Sequence, residues 1–256
     1  MEIKFVGTGS GKTLLKRYHS SFLIKTEAYN LLVDAGDGIS RALLNQKVTF
    51  DSINGILISH LHPDHYSGLP SLIIQMKLNK RKEPIDLFCH ESHFDFLMEF
   101  LSRSYIFEET LGFKLNVKSF VQKKTIDVVA GFSFVAAQNS HLKHNEHLDK
   151  SGILSFTSNS FLLRVEGKNI FFTGDIGDFS DLFLFEGQKI AVIISEITHI
   201  KVEELLESFQ RLKPEKLFIT HLSEEDEEKV SRLSYQLPSA ERRKVIAAFD
   251  GLNVKI

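Results

Sequence analysis

The chain has 256 residues, of which 43% are hydrophobic, with 22 phenylalanines, one cysteine and a formal net charge of −2. That length and apolar content can supply the core of one large domain; Cys89 alone excludes an intramolecular disulfide framework, and the near-neutral charge offers no global basic field for a polyanion. No stretch approaches the roughly 20 apolar residues that cross a bilayer, and Met1-Glu2-Ile3-Lys4 lacks the start of a signal peptide, so a cytoplasmic protein with no membrane partner is expected.

Short apolar runs over Ile3–Val6, Phe22–Lys25 and Leu31–Val33, punctuated by Gly, Ser and Asn, predict three strands. A helix is expected from Gly38 to Gln46, with Ile39, Ala42, Leu43 and Leu44 on one side. Ile56–Ser59 reads as a strand, Leu69–Leu78 as a helix and Leu87–Cys89 as a strand. Phe94, Leu97, Met98 and Leu101 have helical spacing and read as a core stripe. Leu115–Val135 reads as a β-meander, and the polar stretch Leu142–Asn159 as a long loop. Phe161–Val165 and Asn169–Phe172 form a hairpin around Glu166-Gly167-Lys168. Ala191–Ser195 and Lys216–Thr220 are buried strands flanking a helix marked by Val202, Leu205, Leu206 and Phe209. Ser223 with Asp226 signals the capped start of a last helix, and Val245–Ala248 and Asn253–Ile256 close the chain as strands. One domain of two sheets covered by helices is the expected organisation.

The chemistry concentrates in Ser59-His60-Leu61-His62-Pro63-Asp64-His65, directly after a strand. Imidazole and carboxylate are the donors that borderline divalent metals such as zinc take. Further donors stand at other strand ends: His141 after Phe132–Ala137, Asp175 within Thr173-Gly174-Asp175-Ile176-Gly177, and His221 after Leu217–Thr220. The basic patches around Lys77–Lys82, Lys123-Lys124 and Arg242–Lys244 are dispersed and read as solvated turns, so charge does not argue for nucleic acid. Gly7-x-Gly9-x-Gly11-Lys12-Thr13 is not a P-loop, because that spacing needs glycine where Val6 stands, nor a dinucleotide fingerprint, which needs glycine in place of Lys12. It reads as a turn bordering a metal site.

In His60-x-His62-x-Asp64-His65, Gly174-Asp175 and Thr220-His221 the chain resembles the metallo-β-lactamase superfamily of αββα hydrolases, a four-layer sandwich of two mixed β-sheets flanked by helices. Phe5–Gly11, Ser20-Ser21 and Leu32–Gly38 are similar to the tRNase Z branch and its phosphodiesterase relatives, and Phe249-Asp250-Gly251 to cyclic-phosphate phosphodiesterases. The resemblance implies two divalent ions, zinc first with manganese or iron as alternatives. His60, His62 and His141 would hold one, Asp64, His65 and His221 the other, with Asp175 bridging. His144 and His147 are the neighbours that could replace His141; otherwise they are substrate contacts or solvated loop residues. His90 and His93 read as surface or packing residues, and His19 could reach a cleft. A homodimer fits the resemblance, since relatives are often dimers.

Two such ions can share a hydroxide that is nucleophilic near neutral pH, because coordination lowers the pKa of water to about 7. Asp64 is then a ligand that also orients this nucleophile, and Asp34 a partner that fixes a ligand histidine's tautomer. Ser195-Glu196-Ile197-Thr198-His199 is similar to a shortened tRNase Z motif, which implies His199 as general acid oriented by Glu196; the alternative is that His199 caps the following helix. Pro63 stands where tRNase Z carries glycine, and Leu87–Phe134 shows no glycine- and basic-rich arm. The expected activity is a phosphodiesterase acting on a small or cyclic phosphodiester, with nucleic acid a less favoured substrate. The alternatives are hydrolysis of a carboxylic ester, lactone or thioester, or tRNA 3′ processing without the arm.

Overall fold

The computed structural model describes residues 1–234 and 237–256. They form two compact units, Met1–Val121 with Phe249–Ile256, and Gln122–Ala248. In chain order the first unit contains β1 (Glu2–Gly7), β2 (Ser21–Lys25), β3 (Asn30–Val33), α1 (Ile39–Asn45), β4 (Gly55–Leu57), α2 (Pro63–Tyr66), α3 (Leu69–Leu78), β5 (Ile85–His90), α4 (Glu91–Arg103), α5 (Glu108–Leu111) and β6 (Leu115–Phe120). The second contains β7 (Thr125–Val129), β8 (Phe132–Gln138), β9 (Asn159–Val165), β10 (Lys168–Phe172), β11 (Val192–Ser195), α6 (Val202–Leu212), β12 (Lys216–Ile219), α7 (Asp226–Ser234), α8 (Ser239–Arg242) and β13 (Val245–Ala247). The last strand, β14 (Asn253–Lys255), returns to the first unit's sheet.

Each unit is built on a mixed seven-stranded sheet, ordered β14-β1-β2-β3-β4-β5-β6 in one and β13-β12-β11-β10-β9-β8-β7 in the other. Both sheets combine an antiparallel part with a parallel part. Pairing is antiparallel from β14 to β3 and parallel from β3 to β6. It is antiparallel from β7 to β10 and parallel from β10 to β13. The parallel strands read as continuous apolar runs because both of their faces are covered: every residue of β4 and β11 is buried. The β9–β10 hairpin closes through Glu166 and Gly167, both at positive φ (49° and 78°), as a tight hairpin turn requires.

Helices cover the sheets with apolar stripes. In the first unit Ile39, Ala42 and Leu43 of α1, Leu69, Leu72, Ile73 and Met76 of α3, and Leu97 and Leu101 of α4 join one core with Leu23, Leu32 and Ile56 of the sheet. Leu205 and Phe209 of α6 do the same with Ile193, Leu217 and Ile219 in the second. Among the described residues, no helix is long and apolar enough to cross a membrane.

Several local expectations change. Leu44 is 58% exposed, because it lies one residue beyond the i, i+3, i+4 stripe of α1. In α4 the buried row is His93, Leu97 and Leu101, and Met98 is exposed. The Leu115–Val135 segment is not one meander: β6 pairs parallel with β5, whereas β7 and β8 form a hairpin in the second unit's sheet. The polar stretch after β8 carries a 3-10 helix, Lys143–Leu148, followed by a turn gathered by Asp149. That carboxylate accepts from the Ser151 hydroxyl and from the N–H groups of Leu154, Ser151 and Gly152, bonds that hold its pKa down to about 2. Near the C-terminal end, Asp226 accepts from both the N–H and the hydroxyl of Ser223 at 2.8 and 2.6 Å, and α8 follows α7. Cys89 is buried, which pushes its thiol up to about 12 and leaves it unreactive.

Candidate metal centre

Most candidate ligands follow the C-terminal ends of strands in the parallel parts of the sheets, where open α/β sheets present their functional loops, whereas His141 follows the antiparallel β8. In the first unit Asp34 follows β3 and Ser59-His60 follows β4. The Asp34 N–H bonds Leu57 O at 2.8 Å, so the two strand ends are locked together. The buried Asp34 carboxylate accepts from the Ser59 N–H and hydroxyl, both at 2.8 Å, and from His65 Nδ1 at 2.8 Å. The Ser59 hydroxyl donates to Asp34 and so accepts from His60 Nδ1, 3.0 Å away. One carboxylate therefore fixes both imidazoles with Nδ1 protonated, which leaves Nε2 as the donor a metal takes.

His62 is the N-cap residue of α2, and Pro63 occupies the first turn, where its fixed φ suits the helix and its missing N–H is not needed. This turn places Asp64 Oδ2 at 3.3 Å from His65 Nε2. The rings of His60 and His62 stand 4.8 Å apart, and those of His60 and His65 4.1 Å apart. The glycine turn borders this group: a Cβ on Gly11 would lie 3.1 Å from Asp64 Oδ2. Gly36 is also obligatory, since a Cβ there would collide with Asp64 O.

In the second unit Asp175 follows β10, Glu196 follows β11 and His221 follows β12. The Asp175 carboxylate oxygen Oδ2 lies 3.3 Å from His221 Nε2 and 3.8 Å from His141 Nε2, between the two imidazoles. The Thr198 hydroxyl donates to His221 O at 2.8 Å and so accepts from His221 Nδ1 at 2.9 Å, again turning Nε2 outward. His141 donates its backbone N–H to Asn139 Oδ1 at 3.2 Å, and the Asn139 amide is anchored on Ser160 Oγ and Thr173 O. Asp34 and His221 both have positive φ, 62° and 56°. Such non-glycine strain costs on the order of 1–3 kcal/mol and is held by these hydrogen bonds.

Glu196 is 1% exposed and is surrounded by donors: Ile176 N at 3.2 Å, Thr198 N, His199 N at 3.0 Å and His199 Nδ1 at 2.9 Å. The His199 side chain is 34% exposed, and its ring centroid lies 4.6 Å from that of His141. Lys201, not His199, is the N-cap residue of α6, with its N–H on Glu204 Oε2 at 2.8 Å. His144 and His147 are exposed on the 3-10 helix, while His141 is buried. His90 and His93 are buried and pack near Phe120 and each other. His19 Nδ1 pairs with Ser10 O at 2.8 Å and braces the glycine turn. Asp250, in the Phe249-Asp250-Gly251 signature, accepts from Thr8 Oγ1 and Tyr18 N, both at 2.7 Å, and so pins the same loop. Burial raises the Asp250 pKa, with Arg17 opposing the shift. A cavity of about 600 Å³ beside this loop is lined by Lys16, Arg17, Tyr18, Arg41 and Asp250 among others, and by none of the candidate ligands.

The supporting residues Ser59, Asn139 and Thr198 are not legible as functional in the sequence, because each hydrogen-bonds a candidate ligand and is not itself one. Asp34→Asn exchanges an acceptor oxygen of the His60–His65 arrangement for a donor. Metal affinity is expected to fall about 10–100-fold, read by chelator competition; unchanged affinity would remove Asp34 from ligand orientation.

The fold matches solved structures along nearly its whole length. One is a metallo-β-lactamase fold protein, YhfI from Bacillus subtilis, at TM-score 0.76 and 14% identity, covering 99% of both chains. Another is the short form of human tRNase Z, at TM-score 0.73 and 20% identity, covering 100% of this chain and 99% of that one. Among curated proteins, ribonuclease Z of Pyrococcus abyssi is 38% identical over 105 residues, 41% of this chain and 34% of that protein. Ribonuclease Z of Methanococcus aeolicus is 32% identical over 136 residues, 53% of this chain and 41% of that protein. The matched region thus spans only 34–41% of these relatives' length. The class these likenesses define is that of the αββα metallo-β-lactamase fold, with sequence similarity to ribonuclease Z over part of the chain. Within it, the family described as Anti-Pycsar protein Apyc1 matches residues 1–239, and the chain belongs to that family.

Proposed function

We propose that this chain is a phosphodiesterase that hydrolyses a small or cyclic phosphodiester at a two-metal centre. His60, His62 and His141 would hold one ion, Asp64, His65 and His221 the second, and Asp175, which lies near ligands of both, would serve the two. Superfamily membership supports metal dependence, and the donor set, imidazole nitrogens turned outward beside carboxylates, fits zinc with manganese or iron as alternatives. Such ions neutralise charge on phosphoryl oxygens and lower the pKa of water to about 7.

The chain's own residues supply the rest. Asp34, through Ser59, and Thr198 hold the Nδ1 protons of His60, His65 and His221, so each imidazole presents a fixed face. Asp64 orients the attacking nucleophile. His199 keeps its Nδ1–H hydrogen-bonded to the Glu196 carboxylate, and the protonated ring passes its Nε2 proton to the departing oxygen. That dyad is the observation that carries the reading: a buried carboxylate behind a partly exposed imidazole is what a poor alkoxide leaving group needs. A small substrate is supported by the use of residues 91–129 in α4, α5, β6 and β7, with short connections between them.

The assay is bis(p-nitrophenyl) phosphate, a panel of cyclic nucleotides, a precursor tRNA and a p-nitrophenyl ester, each with added Zn²⁺ or Mn²⁺. Metal-dependent turnover of the phosphodiesters well above that of the ester is expected. Ester turnover alone would overturn the reading. A second reading, tRNA 3′ processing, is favoured by the identity to ribonuclease Z, and preferential cleavage of the precursor tRNA would select it.

A further inference from the structure

We propose that Asp181 is a positioning residue: its buried carboxylate clamps the loop bearing His141 to the loop bearing Asp175. Asp181 lies in the 3-10 helix Phe179–Phe183 and is 5% exposed. Its Oδ2 accepts from Ser140 N at 3.0 Å, Ser140 Oγ at 2.7 Å, Gly177 N at 3.0 Å and Asp178 N at 3.3 Å. Its Oδ1 also faces Ser140 N, at 3.2 Å. Capping of its own helix accounts for the Asp178 bond alone. The remaining donors belong to the residue immediately before His141 and to the residue two after Asp175.

The two loops also touch directly. A Cβ on Gly177 would lie 2.6 Å from Ser140 O, so the loops approach closely enough that only glycine fits. His141 also donates its N–H to Asn139, whose amide reaches Thr173 O, two residues before Asp175. The two residues that precede His141 are thereby tied to both sides of Asp175 in the chain, and His141 Nε2 lies 3.8 Å from Asp175 Oδ2. Ligand pairs must be held to within about 0.5 Å of a productive geometry. A carboxylate collecting several N–H donors from two loops is a stiff way to do so, because each N–H left unpaired in a buried site costs about 1–3 kcal/mol.

This inference rests on the reading of His141 and Asp175 as ligands, and its test separates the two. Metal affinity by chelator competition, and the visible absorption of the cobalt-substituted protein, are measured for wild type, Asp181→Asn, Gly177→Ala and Asp178→Ala. Asp181→Asn turns an acceptor into a donor opposite N–H groups, and Gly177→Ala forces the loops apart without touching the carboxylate. Both are expected to lose about 10–100-fold in affinity and to shift the cobalt spectrum. Asp178→Ala, which removes the helix cap only, is expected to stay within about 2-fold of wild type.

A merely structural Asp181 would lower the unfolding temperature of the metal-free protein and leave affinity and spectrum unchanged in both loop variants; that result overturns the clamp. If Asp181→Asn fails to fold, Gly177→Ala decides by the same criteria. Wild-type protein that takes up no metal overturns the functional reading itself, which is a different outcome from a metal-binding wild type indistinguishable from its variants.

Discussion

Asp175→Ala is expected to lower kcat/KM on a phosphodiester by about 10³-fold or more and to leave less metal on the protein than on wild type. The side chain is buried with its Oδ2 between His141 Nε2 and His221 Nε2, at 3.8 and 3.3 Å. In the proposed arrangement it is the ligand common to both ions, so its loss weakens both sites at once. Lewis-acid stabilisation is worth several kcal/mol, and each 1.4 kcal/mol is about a decade in rate. Elemental analysis of variant and wild type alongside steady-state kinetics checks the result. The unfolding temperature of the metal-free variant separates ligand loss from a folding defect. Full metal content with more than about a tenth of wild-type activity would contradict this effect size and remove Asp175 from the centre.

The candidate donors His60, Asp175 and His221 are legible as strand-end residues because a run of buried apolar residues precedes each, the pattern of a parallel strand whose C-terminal end opens into a loop. Leu217–Thr220 before His221 and Ile56–Ile58 before Ser59-His60 are such runs, and their strands lie in the parallel parts of the two sheets. What was not legible depends on partners distant in sequence. β6 and β7 are separated by only four residues, 121–124, which reads as a hairpin connection. Yet β6 pairs with β5 across α4 and α5, and β7 pairs only with β8 among the described residues. Strand pattern reports the period of burial and not the neighbour. His93 was missed in the α4 stripe because an apolar count omits histidine, although it is 0% exposed at the position one turn before Leu97. Nothing in Asp178-Phe179-Ser180-Asp181 announces that the main donors to Asp181 come from Ser140 and Gly177. Pro63 has a local reason as well: it starts α2, where its fixed φ suits the first helical turn.

His199→Ala is expected to divide substrates by leaving group. On bis(p-nitrophenyl) phosphate, whose leaving group departs without protonation, the rate should change by less than about 3-fold; on a cyclic nucleotide or alkyl phosphodiester it should fall by about 10²–10⁴-fold, the range of general acid catalysis. The geometry accounts for the difference. Glu196 engages His199 twice, at the backbone N–H (3.0 Å) and at Nδ1 (2.9 Å), so the ring is oriented by a group that is itself fixed by Ile176 N and Thr198 N. Glu196→Gln keeps that shape and removes the negative charge beside the imidazole. It should therefore make the His199 proton easier to lose and move the alkaline limb of kcat, where the general acid is deprotonated, towards lower pH, whereas His199→Ala should abolish that limb on the poor leaving group. The pH–rate profiles of the two variants on one good and one poor leaving group make the comparison. Equal losses on both substrates would assign His199 to substrate binding, and no loss on either would leave the dyad as a structural tie between the loop after β11 and the start of α6.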